Sequence, residues 1–176
     1  MNLTKWALIA MFATLTAHSQ AQSKACLNIL PDYLRSTVEQ DNWKILDPLD
    51  LAADDLPVWK GNHPGECPGI AHGNFHPKAD SSYIVALIQR DDQKKLLEKT
   101  VLVTTKKNKI QTTVVIPPTQ MPALAVVWRL PPGHWRGIDG TKAAIKRDSF
   151  VSEQIISTAT QFYYDGSHLK SFPLSR

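Results

Sequence analysis

The order of apolar and polar positions along the chain predicts that antiparallel strands dominate its second half. Tyr83–Gln89 is a nearly continuous apolar run, which is typical of a central strand covered on both faces. Leu96–Thr105 and Ile110–Ile116 are rich in β-branched residues and flank the polar residues 106–109, a pattern that predicts a hairpin. We expect Pro117-Pro118 to end its second strand.

Further strands are predicted towards the C-terminus. Ala123–Leu130 is the first, and Pro131-Pro132-Gly133 follows it. Phe150–Ser157, Thr160–Tyr164 and Leu169–Pro173 are the others. Asp165-Gly166 separates the last two, and this dipeptide favours a tight hairpin turn because both residues tolerate a positive φ.

The N-terminal part has a helical period. Leu30, Leu34 and Val38 recur every four residues, which predicts a short amphipathic helix. Trp43–Ile45 can begin a strand, and the Pro- and Gly-rich segment Leu49–Pro68 is interpreted as a loop. The pattern therefore predicts an α+β fold: a mainly antiparallel sheet of about six or seven strands in meanders and hairpins, with one N-terminal amphipathic helix.

The first residues resemble an export signal. Lys5 precedes an apolar run from Trp6 to Ala17, and Ser19-Gln20-Ala21 offers small residues for a signal peptidase. We expect a signal peptide over residues 1–21, cleavage after Ala21, and one β-rich domain over residues 22–176. The apolar run is shorter than a membrane-spanning helix requires, so we expect a periplasmic or secreted protein that does not span the membrane.

Cys26 and Cys67 are the two cysteines of the chain. An even number of cysteines in an exported protein predicts a disulfide, here one that closes a loop of about 40 residues. Lipidation of Cys26 is the alternative, because this cysteine follows the apolar run and Ala25 precedes it.

The net charge is small. It is +4 for the whole chain and falls to +3 without residues 1–21, which carry one lysine and no acid. Lysines cluster near two predicted turns, and a solvated edge that resists aggregation is favoured over an anion-binding patch; they are Lys94, Lys95, Lys99, Lys106, Lys107 and Lys109. Arginine and aromatic residues do not alternate as in nucleic-acid modules, so we expect no nucleic acid as partner.

Residues that could carry chemistry are few. His63, Cys67, His72 and His76 are zinc-ligand types, but Cys67 is the expected disulfide partner, so we predict neither a metal nor a cofactor. No Gly-x-Ser-x-Gly motif occurs, although His134 or His168 could pair with a distant serine and aspartate. The acids of the predicted loop, Asp54, Asp55 and Glu66, are interpreted as solvated rather than as a glycosidase pair.

Aromatic residues are the remaining signal. Trp59, Trp128 and Trp135 lie in or near predicted irregular segments, and Trp135 has His134 and Arg136 beside it. Core packing is the favoured role, whereas Trp, Tyr and Arg at a surface are typical of binding sites. The candidate binding residues are Trp59, His63, His72, His76, Trp128, His134, Trp135 and Arg136.

Five segments together resemble exported bacterial proteins loosely related to FG-GAP or VCBS-type repeats: Asp50-Leu51, Trp59, Cys67–Phe75, Tyr83–Ile88 and Phe162–Gly166. The resemblance implies a β-rich extracytoplasmic domain and no particular activity. Such repeats supply acidic oxygens to calcium at a loop where this chain has Asn74, His76, Pro77, Lys78 and Ala79. With only Asp80 nearby, we expect no calcium site.

Three functional hypotheses follow. The leading one is an exported, non-catalytic binding domain for a protein or an envelope polymer, for instance an inhibitor or a partner that neutralises a toxin. The second is a small envelope hydrolase with a catalytic histidine, and the third is a structural envelope protein that self-associates. The sequence favours a protein that is not an enzyme without deciding the question.

Overall fold

The computed structural model describes residues 28–90 and 95–175. Within these ranges two α-helices, one 3-10 helix (Pro48–Asp50) and eleven strands occur. The helices are α1 (Asp32–Val38) and α2 (Asp55–Asn62). The strands are β1 (Lys44–Ile45), β2 (Ile70–Gly73), β3 (Ser81–Arg90), β4 (Leu96–Lys106), β5 (Lys109–Gln120), β6 (Ala125–Leu130), β7 (Gly133–Arg136), β8 (Lys142–Ile145), β9 (Ser149–Gln154), β10 (Ala159–Asp165) and β11 (His168–Ser175).

The strands form two antiparallel sheets and a separate ribbon. In the first sheet β3, β4 and β5 follow one another, and β1 and β2 share the free edge of β3. The second sheet has the order β11-β10-β9-β6, and β7 pairs with β8 to form the ribbon. The predicted class, mainly antiparallel β with a small helical part, is confirmed.

Strand β3 is covered on both faces, as its apolar run predicted. Val85 and Leu87 pack with Leu34 and Val38 of α1, which covers one face of the first sheet. Ile84, Ala86 and Ile88 pack on the other face against residues of β6 and β9. The molecule therefore has three layers, with the first sheet between α1 and the second sheet.

Phenylalanine rings join the two sheets. Phe75, which follows β2, meets Phe150 of β9 edge to face, with 6.1 Å between ring centroids. Phe150 stacks on Phe162 of the neighbouring strand β10 at 5.0 Å. Such geometries contribute beyond simple burial, so these rings fix the end of β2 against the second sheet.

Glu98 of β4 is a buried acid at the junction of the sheets. Its side chain is 5% exposed, and one carboxylate oxygen accepts a hydrogen bond of 2.8 Å from the backbone N–H of Ala125, the first residue of β6. Burial raises the pKa of Glu98 to about 7, and the hydrogen bond from Ala125 opposes this change.

The prediction of a loop over Leu49–Pro68, and with it of a single helix, is wrong because α2 and the 3-10 helix lie there. Pro57 falls in the first turn of α2, where a backbone N–H has no intrahelical acceptor and a proline is tolerated. Gly61 falls in the last turn. Both residues resemble helix breakers in the sequence, yet neither occupies a position where it breaks this helix.

The predicted strand number of six or seven is too low, and one sheet has become two. The unpredicted strands β2, β7 and β8 have four residues each, too few to show a period. Pro117-Pro118 does not end β5, which continues to Gln120. Residues 117 and 118 have no partners in the pairing with β4, where the register shifts, and the other side of β5 is a free edge, so the missing N–H groups interrupt no ladder.

The predicted signal peptide, its cleavage site after Ala21, and Cys26 lie outside the described residues. Cys67 is buried against the side chains that α1 contributes to the core, while the predicted disulfide stays a prediction. Among the described residues no helix has the length and apolar character needed to cross a membrane.

Candidate binding site

Three of the predicted binding residues come together around His63. The ring of Trp59 in α2 stacks on His63 at 4.2 Å, and the ring of Trp128 on β6 lies 4.9 Å from that of His63. Trp59 is 3% exposed, and its indole N–H donates to the carbonyl of Glu66 at 3.4 Å. This arrangement holds α2 against the second sheet, so we assign Trp59 to the core rather than to a ligand surface.

Acidic side chains complete this cluster. Nδ1 of His63 lies 3.5 Å from a carboxylate oxygen of Glu66, and the indole N–H of Trp128 donates to Glu153 at 2.9 Å. These contacts satisfy the polar atoms of the rings that face them. The cluster is thus a packed junction with its polar groups paired.

His72 lies apart from that cluster, on β2. It is paired across the strands with Tyr83, and the two rings stack at 4.5 Å. Its Nε2 is 3.2 Å from the hydroxyl oxygen of Ser81. The stacked tyrosine fixes the ring plane of an otherwise exposed histidine.

His134, Trp135 and Arg136 lie on β7 of the ribbon. The indole N–H of Trp135 donates to the carbonyl of Pro131 at 3.3 Å, and the ring packs against the buried cluster that contains Leu130 and Val151. His134 and Arg136 are exposed. Trp135 therefore anchors the ribbon, and this trio does not join the other candidates.

His76 lies between two surface cavities. Its ring meets Tyr164 edge to face at 4.9 Å. On one side Tyr163 and Tyr164 line a cavity of about 510 Å³, here called the tyrosine cavity. On the other side His76 lines one of about 370 Å³, here called the histidine cavity.

Both cavities are lined by cations, and the eight together are called the basic surface. The histidine cavity has Lys78, Lys106, Lys107 and Lys109. The tyrosine cavity has Lys142, Lys146, Arg147 and Lys170. The one acid in either lining is Asp165, which is paired with Lys170.

Most cations of the basic surface have no ion-pair partner among the described residues. Within residues 28–90 and 95–175, no carboxylate forms an ion pair with the cations of the histidine cavity or with Lys142 and Lys146. Asp80 is near the histidine cavity, but its carboxylate accepts from the backbone N–H of Lys107. The turn of Lys107 and Asn108 has φ values of 48° and 63°, typical of a two-residue hairpin.

The end of β2 positions His76. The hydroxyl of Ser82 donates to the carbonyl of Gly73 and accepts from the N–H of Phe75, at 2.6 and 3.0 Å. The N–H of Asn74 donates to Asp148 at 2.8 Å, which links this segment to the start of β9. A Cβ atom at position 73 would lie 2.9 Å from side-chain atoms of Asp148 and Arg129, so a larger residue there would force these side chains to shift.

Arg147 connects the two cavities. Its guanidinium donates to Oδ1 of Asn74 at 3.2 Å, which fixes it beside His76. Burial first, and then the charges of Lys78, Arg147 and Lys106, hold the pKa of His76 below its usual range. These cations come from both cavities, so their positive fields overlap at His76.

Sequence reasoning identified His76 but missed the residues that surround it. Lys142, Lys146, Arg147, Tyr164 and Lys170 are scattered over the last 35 residues, and no local spacing relates them to Lys106. The cluster at 106–109 was visible as a charge run and was interpreted as a solvated edge. Lys95 and Lys99 lie nearer the opposite end of β4, and Lys94 is outside the described residues.

The described residues contain no group of three or more His, Cys, Asp or Glu side chains that could hold a metal ion. No protein-family model, curated protein or solved structure matches this chain. The resemblance to FG-GAP or VCBS-type repeats therefore stays a prediction from the residues alone.

Proposed function

We propose that the chain is an exported, non-catalytic binding domain, and that its partner is negatively charged and binds on the basic surface. One observation carries the proposal: two cavities with eight cations and one acid in their linings meet at His76 and Tyr164. Like charges held together in this way repel each other, and an anionic partner relieves that repulsion.

The side chains around His76 agree with a binding role. Tyr164 is partly buried, and burial raises the pKa of its hydroxyl, which therefore stays neutral and can donate a hydrogen bond to an anion. His76 adds a second polar ring whose charge depends on its neighbours. Cations and two polar rings in the linings of the two cavities can hold an anion by charge and by hydrogen bonds.

Affinity capture with matched variants tests the proposal. Oxidised residues 22–176 serve as bait in an envelope and secretome extract, beside the variant Lys106→Glu/Lys146→Glu, which reverses one charge in each cavity. Lys60→Glu/Lys95→Glu is the control, because both lysines are exposed outside the two cavities and the net charge changes equally.

We expect the same anionic material, protein or polymer, on the wild-type and control baits and its loss from the Lys106→Glu/Lys146→Glu bait. Bound protein is identified by mass spectrometry and bound polymer by phosphate and uronic-acid assays. Material retained equally by all three baits, or by none, would contradict the proposal.

A second candidate is a small envelope hydrolase, and one contact favours it. Nε2 of His72 lies 3.2 Å from the hydroxyl of Ser81, within reach for a base that activates a nucleophile. A serine-directed fluorophosphonate probe tests this idea. Labelling that is lost in Ser81→Ala and in His72→Ala would support a hydrolase. An unlabelled wild-type protein would contradict the hydrolase hypothesis.

A further inference from the structure

The basic surface is continuous across its two cavities. His76 lines the histidine cavity and touches Tyr164, which lines the tyrosine cavity. Pro77 of the tyrosine cavity lies in sequence between His76 and Lys78 of the histidine cavity. The two cavities are therefore separated by the contact between the rings of His76 and Tyr164. A ligand that fills one cavity lies next to the other cavity.

The kind of cation discriminates between classes of partner. Seven of the eight cations are lysines and one is arginine. The cores of protein interfaces are depleted in lysine and enriched in arginine and large aromatic residues. Lysine is a flexible point charge that does not require the fixed geometry of a bidentate contact. The composition thus favours a flexible ligand with many charges over a folded acidic protein.

The arrangement of these charges indicates a long ligand. Each cavity presents four cations, and between them lie the uncharged rings of the His76–Tyr164 pair and Pro77. A single small anion can occupy one cavity only. A chain with a negative charge on each repeat can occupy both, and its second contact is then intramolecular and gains from a high effective concentration.

We propose that the two cavities are successive subsites for one linear polyanion that carries phosphate or carboxylate groups along its length. This inference rests on the proposed function, which requires only a negatively charged partner. It adds the chemical class of the partner and the requirement that one chain crosses the His76–Tyr164 pair.

Calorimetric titration with polyphosphates tests the length requirement. Inorganic phosphate, tripolyphosphate and a long polyphosphate are titrated into residues 22–176, and polyglutamate replaces polyphosphate to compare carboxylate with phosphate. We expect the long chain to bind at least about tenfold more tightly than tripolyphosphate. Both affinities are expressed per binding site, so that the many sites on a long polymer do not inflate its value. Tighter binding of either long polymer supports the proposal and identifies its anionic group.

Single-cavity variants make the test specific. Lys106→Gln alters the histidine cavity and Lys146→Gln alters the tyrosine cavity, and both lysines are exposed, so the fold should persist. Each variant should lose most of the advantage of the long chain over tripolyphosphate. The binding constant K should fall less steeply with salt in each variant, so that the magnitude of the slope of log K against log salt decreases by about one. Lys60→Gln and Lys95→Gln should change neither quantity.

The outcomes separate this inference from the proposed function. Equal affinity for short and long chains would overturn the inference. A second result would also overturn it: neither polymer binds, but the bait captures an acidic protein and loses it in the Lys106→Glu/Lys146→Glu variant. That result would leave the proposed function standing. Absence of both kinds of binding would overturn both proposals.

Discussion

The pKa of His76 can report whether a ligand is bound to the basic surface. With no ligand its pKa is held below the usual range by burial and by the charges of Lys78, Arg147 and Lys106. A bound polyanion adds negative charge beside the ring and offsets those cations. The imidazolium form then gains stability relative to the neutral form.

We therefore predict that a long polyphosphate raises the pKa of His76 towards its usual range, which NMR titration of the ring protons measures. Because protonation adds a cation next to the ligand, affinity should rise as pH falls through the His76 pKa of the complex. His134 is exposed and lines neither cavity, so its ring-proton signals serve as the control and should not respond to the ligand. An unchanged His76 would argue against a ligand at this position.

Glu98 predicts a pH dependence of stability. Its pKa of about 7 in the folded protein is higher than the ordinary value of 4.5. Folding therefore favours the protonated form, and the stability contributed by this group is complete below pH 4.5 and is lost as pH rises through 7. The loss amounts to about 3 kcal/mol at most.

The variant Glu98→Gln retains an oxygen that can accept from Ala125 and cannot titrate. Between pH 4.5 and 8 we expect its free energy of unfolding to rise relative to that of the wild type by up to about 3 kcal/mol. Urea denaturation at a series of pH values measures the difference. Parallel pH profiles for the two proteins would show that Glu98 titrates normally.

At the scale of elements, the close contact between β1 and β2 depends on Gly69. The N–H groups of Leu46 and Ala86 donate to the carbonyls of Ala86 and Gly69, which aligns both short strands along β3. A Cβ atom at position 69 would lie 2.2 Å from the backbone oxygen of Leu46. No side-chain rotation relieves a clash with backbone.

Gly69→Ala should therefore destabilise the protein by at least about 2 kcal/mol, measured by chemical denaturation. Gly61→Ala is the matched control, since nothing lies within 4 Å of its added methyl group and it belongs to α2. That change should stabilise the protein by about 0.5–1 kcal/mol. Similar effects of the two substitutions would disprove the close-contact explanation.

The elements that the sequence predicted well are those whose signal is local. Leu34 and Val38 lie in α1 and are buried at the predicted period, and the apolar run of β3 is covered on both faces. The predicted hairpin does join β10 to β11, but Asp165 pairs with His168, so the two central residues of the turn are Gly166 and Ser167, and of these Gly166 has the positive φ (60°). In contrast, Pro57 is compatible both with the first turn of a helix and with a loop. Only the three-dimensional context distinguishes these two possibilities.

The candidate site could be predicted only in part, for a related reason. His76 was recognisable as a polar ring in a turn, whereas Lys106 and Lys146 line adjoining cavities only because the fold brings the end of β4 near the segment between β8 and β9. Core packing was the favoured prediction for Trp59 and Trp128, with a binding surface as the alternative, and the sequence did not predict that His63 lies between them. In the structure α2 packs against β6, which buries Trp59 and leaves His63 and Trp128 partly buried.

At the scale of the whole molecule, the predicted disulfide would connect the segment before α1 to the core. Cys67 belongs to the cluster of Leu30 and Leu34, on the face that α1 covers. We predict that the oxidised, denatured protein contains no titratable thiol. We also predict that reduction lowers the free energy of unfolding by about 3–4 kcal/mol, from the loop-entropy model. Two free thiols in Ellman titration of the oxidised protein would refute the Cys26–Cys67 bridge.

Strand β3 lies in the first sheet, which is the middle one of the three layers. It is paired along both edges and covered on both faces. Its amide groups can exchange with solvent only when the molecule opens as a whole. The slowest amides of β3 therefore report the global stability of the protein. Slower exchange there in the presence of a polyanion would report the binding free energy directly, without a label on either partner.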